Sequence, residues 1–210
     1  MYDRDFLNAA WSSAVKAHTV AASVLGVCKH LCQYLKRSIF VAQPKAAIVL
    51  GSDSDYPVIE DMLKILKDFG IEYELIVSSA HRSPARTHKY AQKLESRGVE
   101  VVIACAGAAA HLAGVIASET ILPVIGVPID SSPLSGIDAL LSTSMMPAGI
   151  PVATMGIGKA GASNSAVLAA QILARGDRAL ADKLREYKKR LARSVEKKNA
   201  DLQKTLNGQR

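Results

Sequence analysis

The sequence predicts an α/β protein: a three-layer, doubly wound, flavodoxin/Rossmann-like domain around a parallel five-stranded sheet, followed by a long C-terminal helix. Three observations carry that prediction. From Lys45 onward a short apolar run, a small-residue turn and a helical stretch recur in order, the mark of βαβ units. The apolar runs are rich in Val and Ile and too short to be ordinary helices. They are also apolar throughout rather than alternating, as strands buried on both faces of a parallel sheet must be.

In chain order, the first strand is Ala46–Leu50. Asp55, before Tyr56-Pro57, reads as a helix entry, and the helix Val58–Phe69 carries Ile59, Met62, Leu63 and Leu66 on one stripe before stopping at Gly70. The second strand is Tyr73–Val77. Ser83-Pro84 reads as an N-cap with a first-turn proline, opening a helix Pro84–Arg97 that stops at Gly98. Strands Glu100–Ala104 and Pro123–Val127 follow, then a helix Leu134–Leu141, a fifth strand Val152–Met155 and a helix Ala162–Leu173. The last element is one long helix, Arg178–Leu206, with Leu180, Leu184, Tyr187, Leu191, Val195 and Leu202 along one side. An apolar seam that long has no partner inside a five-strand domain, so it predicts packing on a neighbouring subunit.

Length and composition set the outer bounds. The 210 residues, 49% hydrophobic and 21% charged, suit one domain with end segments. Residues 45–177 form the predicted domain, residues 178–210 a basic helical tail that contacts other subunits, and residues 1–44 an appendage outside the repeating pattern. A presequence, a tether and an overlong start all fit residues 1–44, because Lys16, His18, Lys29 and His30 interrupt any signal-peptide core. No apolar run reaches the ~18 residues of a membrane span. Three cysteines, Cys28, Cys32 and Cys105, are an odd number in a chain long enough to need no staples, which predicts a reducing compartment; the cytoplasm is the expected location. The net charge of +7 is unevenly placed. Residues 45–177 carry ten Lys/Arg against thirteen Asp/Glu, whereas residues 178–210 carry eleven against four. Basicity confined to the ends predicts a solvated helix face and no nucleic-acid partner.

In an open parallel sheet, ligands bind outside the carboxyl ends of the strands, where loops converge and helix N-termini present free amides. Five segments therefore matter: Gly51–Asp55, Ser78–Ser83, Ala106–His111, Pro128–Gly136 and Gly156–Gly161. They are built from small residues, hydroxyls and two histidines. Small side chains let backbone amides approach a ligand, hydroxyls bind phosphate or sugar oxygens, and the Arg82 fork suits phosphate. A phosphorylated, hydroxylated small molecule is the expected ligand. His81, in a turn beside Arg82, is the candidate acid/base, since imidazole exchanges protons near neutral pH. His111 is either a ligand contact or an ordering residue, while His18, His30 and His88 read as structural. Asp55 reads as a sugar-hydroxyl acceptor or a helix cap and Asp53 as solvent-facing.

Three tempting motifs are set aside. Asp53, Asp55 and Lys159 resemble the acidic pocket of a receiver domain, but Ala104 to Gly114 holds no acidic residue where that fold needs one. Gly156-x-Gly158-x-x-Gly161 matches the dinucleotide fingerprint by letter, yet it follows the last strand rather than the first, so no nicotinamide or flavin is expected. Cys28 and Cys32 lack a second ligand pair, and no metal site is predicted.

Five runs, in register, carry a family resemblance: GSDSDYP at 51–57, SSAHRSP at 78–84, AGAAAHLAG at 106–114, LPVIGVPIDSSPLSGIDALLS at 122–142 and MPAGIPVATMGIGKAGASNSAVLAAQILA at 146–174. Together they closely resemble the class I 5-(carboxyamino)imidazole ribonucleotide mutases of purine biosynthesis, over about residues 45–175. The resemblance implies an isomerase that moves a carboxylate from an exocyclic amine to ring carbon four of a ribosyl-imidazole phosphate, with no metal, ATP or organic cofactor. It implies His81 as the acid/base and Ser52, Asp55 and Arg82 as substrate-binding residues. Ser54, Ser79 and the loop residues Gly107, Ala108, His111 and Leu112 would complete the pocket. It further implies a homo-octamer with sites at subunit junctions, supplied by a synthetase that makes the unstable carbamate. The chain departs from the family's usual GAGGAAHLPG at Cys105, Ala108 and Ala113. That loop separates mutases from the related carboxylases that use CO₂ directly, and the retained His111-Leu112 favours the mutase side.

Overall fold

A short strand that is apolar at every position can only sit between two layers, and three of the five strands do so. The computed structural model describes residues 43–207. It contains strands β1 (Ala46–Leu50), β2 (Tyr73–Val77), β3 (Val101–Gly107), β4 (Val124–Ile129) and β5 (Ala153–Thr154). The helices are α1 (Tyr56–Phe69), α2 (Pro84–Ala91), α3 (Leu112–Ala117), α4 (Ile137–Ser144), α5 (Gly158–Leu173) and α6 (Arg178–Asn207), with 3₁₀ turns at Asp53–Asp55 and Glu95–Arg97. The strands pair in the order β2-β1-β3-β4-β5, all parallel. This is the doubly wound, flavodoxin-like order, whose winding reverses between β1 and β3.

Strands β1 and β4 are buried along their whole length and β3 over its first five residues, whereas β2 and β5 are half-exposed edges. One face of the sheet packs Ile48, Leu50, Ile103, Cys105 and Val127 against Ile59, Met62 and Leu66 of α1 and the alanine row Ala162, Ala166, Ala169 and Ala170 of α5. The opposite face packs Ala47, Val49, Val102 and Ala104 against Ala91, Leu94, Leu112, Ala113 and Ile116. Alanine on α5 lets that helix lie close to α1, and Ser165, buried there, satisfies its hydroxyl on the Ala162 carbonyl at 2.6 Å.

Several sequence expectations are corrected. The predicted helix Pro84–Arg97 ends at Ala91 and resumes as the turn Glu95–Arg97. That break carries Arg97 back over the Tyr90 ring, 4.7 Å from its centroid, where Tyr90 and Arg97 both donate to Glu74 Oε1. In a straight helix, residues seven apart would stand roughly 10 Å apart along the axis. Strand β3 runs three residues past its predicted end, because Ala106 and Gly107 pair with Pro128 and Ile129 of β4. Strand β5 shrinks to two residues at the sheet edge. Ser83 and Asp55 stand at helix starts, but neither side chain caps its helix; Ser83 Oγ donates to the Ser79 carbonyl instead.

The expectation that the α6 stripe lacks an internal partner holds for only part of its length. Leu180 and Leu184 are buried, and Tyr187 meets Phe69 edge to face with ring centroids 5.4 Å apart. Leu191, Val195, Leu202 and Leu206 beyond them are exposed. Residues 1–42, with Cys28, Cys32, His18 and His30 and nearly all of the N-terminal appendage, lie outside the described residues. No described helix is long and apolar enough to cross a membrane.

Candidate active site

The reversal between β1 and β3 opens a crevice at the carboxyl edge of the sheet, and the loops after β1, β2, β3 and β4 fill its rim. A cleft of about 320 Å³ lies there. It is lined by Gly51, Ser52, Ser54, Asp55, Ser79, Ala80, His81, Arg82, Ala106, Gly107, Ala109, His111, Leu112 and Ser131. Nine of the ten sequence-predicted site residues therefore meet in one place. The tenth, Ala108, is exposed and outside the lining, with Ala109 in its place.

The loop after β1 is ordered by its own hydroxyls. Ser54 Oγ donates to Ser52 Oγ at 2.8 Å, and Ser52 Oγ donates to Asp53 Oδ1 at 3.3 Å. Asp53 is exposed, as expected. Asp55 is only 4% exposed although it sits at the head of α1. Burial holds its carboxyl above the ordinary aspartate value, with the Asp53 charge adding to the effect and hydrogen bonds from Ser52 and Ser54 opposing it.

The turn after β2 is held from below. Ser78, buried, bonds Thr87 of α2 hydroxyl to hydroxyl at 2.8 Å, and the Ser83 amide donates to the Ser79 carbonyl at 2.9 Å. The Arg82 amide donates to Ser79 Oγ at 3.2 Å, while its guanidinium reaches back over the β1 loop toward the Gly51 carbonyl at 3.4 Å. At the top of this turn His81 Nε2 lies 2.8 Å from His111 Nδ1, the rings edge to face with centroids 4.9 Å apart. Two ring nitrogens at that distance share one proton, so one of them is a donor and the other an acceptor. His111 opens α3, and the pair thus joins the loops after β2 and β3. The sequence left the role of His111 open; in the structure it is the hydrogen-bond partner of His81.

Sequence reasoning missed Ser131. Its signal was present, since it lies in the fourth of the convergent post-strand segments. A Cβ on Gly107 would fall 1.8 Å from Ser131 Oγ, so glycine is the residue that lets this hydroxyl lean across the β3 loop. His88, read as structural, lies outside the cleft lining and has a partner of its own: its Nδ1 lies 2.7 Å from Glu119 Oε1, and Gln92 donates to Glu119 Oε2 at 2.7 Å. The glycine motif Gly156–Gly161 takes no part in the cleft lining. Cys105 is fully buried in the core, where desolvation pushes its thiol well above the usual range and leaves it unreactive.

Residues 45–194 fit the family described as AIR carboxylase. The chain belongs to the AIR carboxylase family. Among curated members, the N5-carboxyaminoimidazole ribonucleotide mutase of Pyrococcus horikoshii is 52% identical over 161 residues, covering 77% of this chain and 90% of that protein. The enzyme of the same name from Thermotoga maritima is 49% identical over 160 residues, covering 76% and 92%. Among solved structures, Treponema denticola PurE superposes with a TM-score of 0.69 at 29% identity, covering 76% of this chain and 98% of that one. The AIR carboxylase match begins at Lys45, next to the first residue of β1, and extends into α6, so it takes in every residue of the cleft.

Proposed function

We propose that this chain is an N5-carboxyaminoimidazole ribonucleotide mutase of purine biosynthesis, with His81 as its acid/base. The observation that carries the residue roles is the His81–His111 couple at the rim of a hydroxyl-lined cleft beside Arg82. The relatives from Pyrococcus horikoshii, Thermotoga maritima and Bacillus subtilis, at about half identity, bear the mutase name, which favours this reading over direct carboxylation by CO₂.

The reaction needs one proton delivered and another recovered. As the carbamate N–C bond breaks, CO₂ departs and the nitrogen gains a proton; ring carbon four then attacks CO₂ and loses its own proton, so the proton count closes. A single imidazole serves both steps because it is basic and acidic at the same pH. The hydrogen bond to His111 fixes the ring orientation of His81 and gives its proton a defined acceptor or source. Arg82, with Ser52 and Ser54, suits the phosphate, and Asp55 suits the ribose hydroxyls. Ser79 holds the Arg82 backbone, while Gly107 and Leu112 form the opposite wall.

The same reading gives residues 45–177 the catalysis and 178–210 a subunit contact, with residues 1–44 outside both. Leu134, Ile137, Leu141 and Met145 lie exposed on and beside α4, and Met145 and Leu141 share a hollow with His111. These surfaces and the bare half of the α6 stripe support an oligomer with sites at subunit junctions, an octamer by resemblance. A cytoplasmic enzyme fed by a carbamate-forming synthetase completes the proposal. The decisive assay supplies the carboxyamino nucleotide without ATP or added bicarbonate. Ring-carboxylated product above the spontaneous decarboxylation background is expected; product only from the decarboxylated nucleotide plus bicarbonate would assign the chain to the carboxylases instead.

A further inference from the structure

The two histidines of the cleft stand at the near ends of adjacent helices: His81 three residues before α2, His111 immediately before α3. A second histidine contact joins the same two helices at their far ends. His88, in the last turn of α2, meets Glu119, two residues beyond α3, with 2.7 Å between Nδ1 and Oε1. Gln92 donates to the other oxygen of the same carboxylate at 2.7 Å, and Thr120 Oγ1 donates to Glu95 Oε1 at 3.1 Å. Between the two histidine contacts Ala91, Leu94, Leu112, Ala113 and Ile116 are buried against each other.

We propose that His88 and Glu119 are positioning residues, clamping α3 to α2 so that His111 Nδ1 is held at hydrogen-bonding distance from His81 Nε2. The inference rests on the reading of His81 as the acid/base. Its physical ground is the unequal anchoring of the two helices. Helix α2 is tied to the floor of the site by the buried Ser78–Thr87 hydroxyl bond. Helix α3 packs Leu112, Ala113 and Ile116 into the core but has only six residues and no side-chain cap at its start, so the contact at its end adds to what sets its position along α2. The Glu119 side chain is 19% exposed and both its oxygens are engaged. Hydrogen bonds from Gln92 and then His88 hold its carboxyl below the ordinary glutamate value. An ionised carboxylate only accepts, so His88 carries its proton on Nδ1 and points Nε2 away.

The contact is part-buried and the core packing of α3 does not depend on it, so its loss is expected to leave the fold intact, whereas a catalytic group displaced by an ångström loses rate steeply. His88→Ala in the full chain is expected to lower kcat roughly tenfold, with a smaller rise in KM for the carboxyamino nucleotide, because Ser52, Ser54, Asp55 and Arg82 do not ride on α3 and only Leu112 of the cleft wall does. His88→Asn, whose side-chain amide replaces the Nδ1–H donor, is expected to restore most of the rate. An unchanged kcat in His88→Ala, an Asn variant no better than Ala, or a loss expressed in KM alone would overturn the clamp. Should His88→Ala fail to fold, the isosteric Glu119→Gln is measured in its place, and an unchanged kcat there overturns the clamp equally. His81→Asn, run beside them, separates the two ideas. If it is active, the reading of His81 falls and the clamp loses its purpose; if it is inactive while His88→Ala matches the wild type, the clamp alone falls.

Discussion

The turn Ser78–Ser83 after β2 and the loop Gly156–Gly161 after β5 are both post-strand segments leading into a helix, and they have opposite uses. The β5 loop matches a well-known ligand-binding pattern, yet none of its residues lines the cleft. Two of its three glycines answer to the backbone: a Cβ on Gly161 would sit 1.6 Å from the Gly156 carbonyl oxygen, and Gly158 adopts a left-handed φ of 74°. The β2 turn matches no general ligand-binding fingerprint, yet it places His81, Arg82 and Ser79 in the cleft. The difference lies in position. Only the loops near the β1/β3 reversal face a crevice, whereas β5 is an edge strand two places away from it. A motif's letters describe what a loop is able to do, and the topology decides whether a ligand can reach it.

The sharpest test of that contrast is His81→Asn, for which kcat is expected to fall on the order of 10²–10⁴-fold while nucleotide binding persists. Steady-state kinetics with equilibrium binding check it, and an active variant would end the special standing of the β2 turn. Next in size, Gly161→Ala is expected to cost about 1–3 kcal/mol by overpacking against the Gly156 backbone, with no stabilisation of the wild type by added NAD. Urea unfolding measures the first and thermal melts the second; tolerance of alanine or a melt raised by NAD would return the β5 loop to the ligand-binding class.

Asp55→Asn probes the price of a buried carboxylate in the site. The folded-state pKa is raised above the unfolded value, so Asp55 destabilises the fold once pH exceeds the folded pKa and ceases to do so below the unfolded one. At neutral pH the Asn variant is therefore expected to melt higher than the wild type, with the gap closing as pH falls through the carboxylate range, while KM rises roughly tenfold from the lost ribose contact. The smallest effect belongs to Ala108, held at a φ of 51° where alanine is strained. Ala108→Gly is expected to stabilise by roughly 0.5–1 kcal/mol without changing turnover, since the residue lies outside the cleft. A destabilised Gly variant would show that the β3 loop, like the β5 loop, is set by packing.

Much of the site was legible because its residues cluster at strand ends, and strand ends follow from short apolar runs. His81, Arg82 and Asp55 follow from that clustering, and Ser52 from the family resemblance. Ser131 and the partnership of His81 with His111 were not, because each depends on two loops meeting that are 24 and 30 residues apart in the chain. His88 looked idle for the same reason: its partner Glu119 is 31 residues away. The Pro84–Arg97 helix failed as a continuous element because local propensity yielded to the tertiary contacts of Arg97 with Glu74 and Tyr90.

The sequence by itself determined the order of elements, the parallel sheet and the family, because apolar periodicity and five spaced motifs are properties of the chain read in one direction. Only the tertiary structure decided which loops share a cleft, which histidine answers which, which half of the α6 stripe is packed and which is bare, and that a lettered glycine motif lies away from the cleft. Those outcomes depend on distances between residues far apart in sequence, and no local preference encodes a distance.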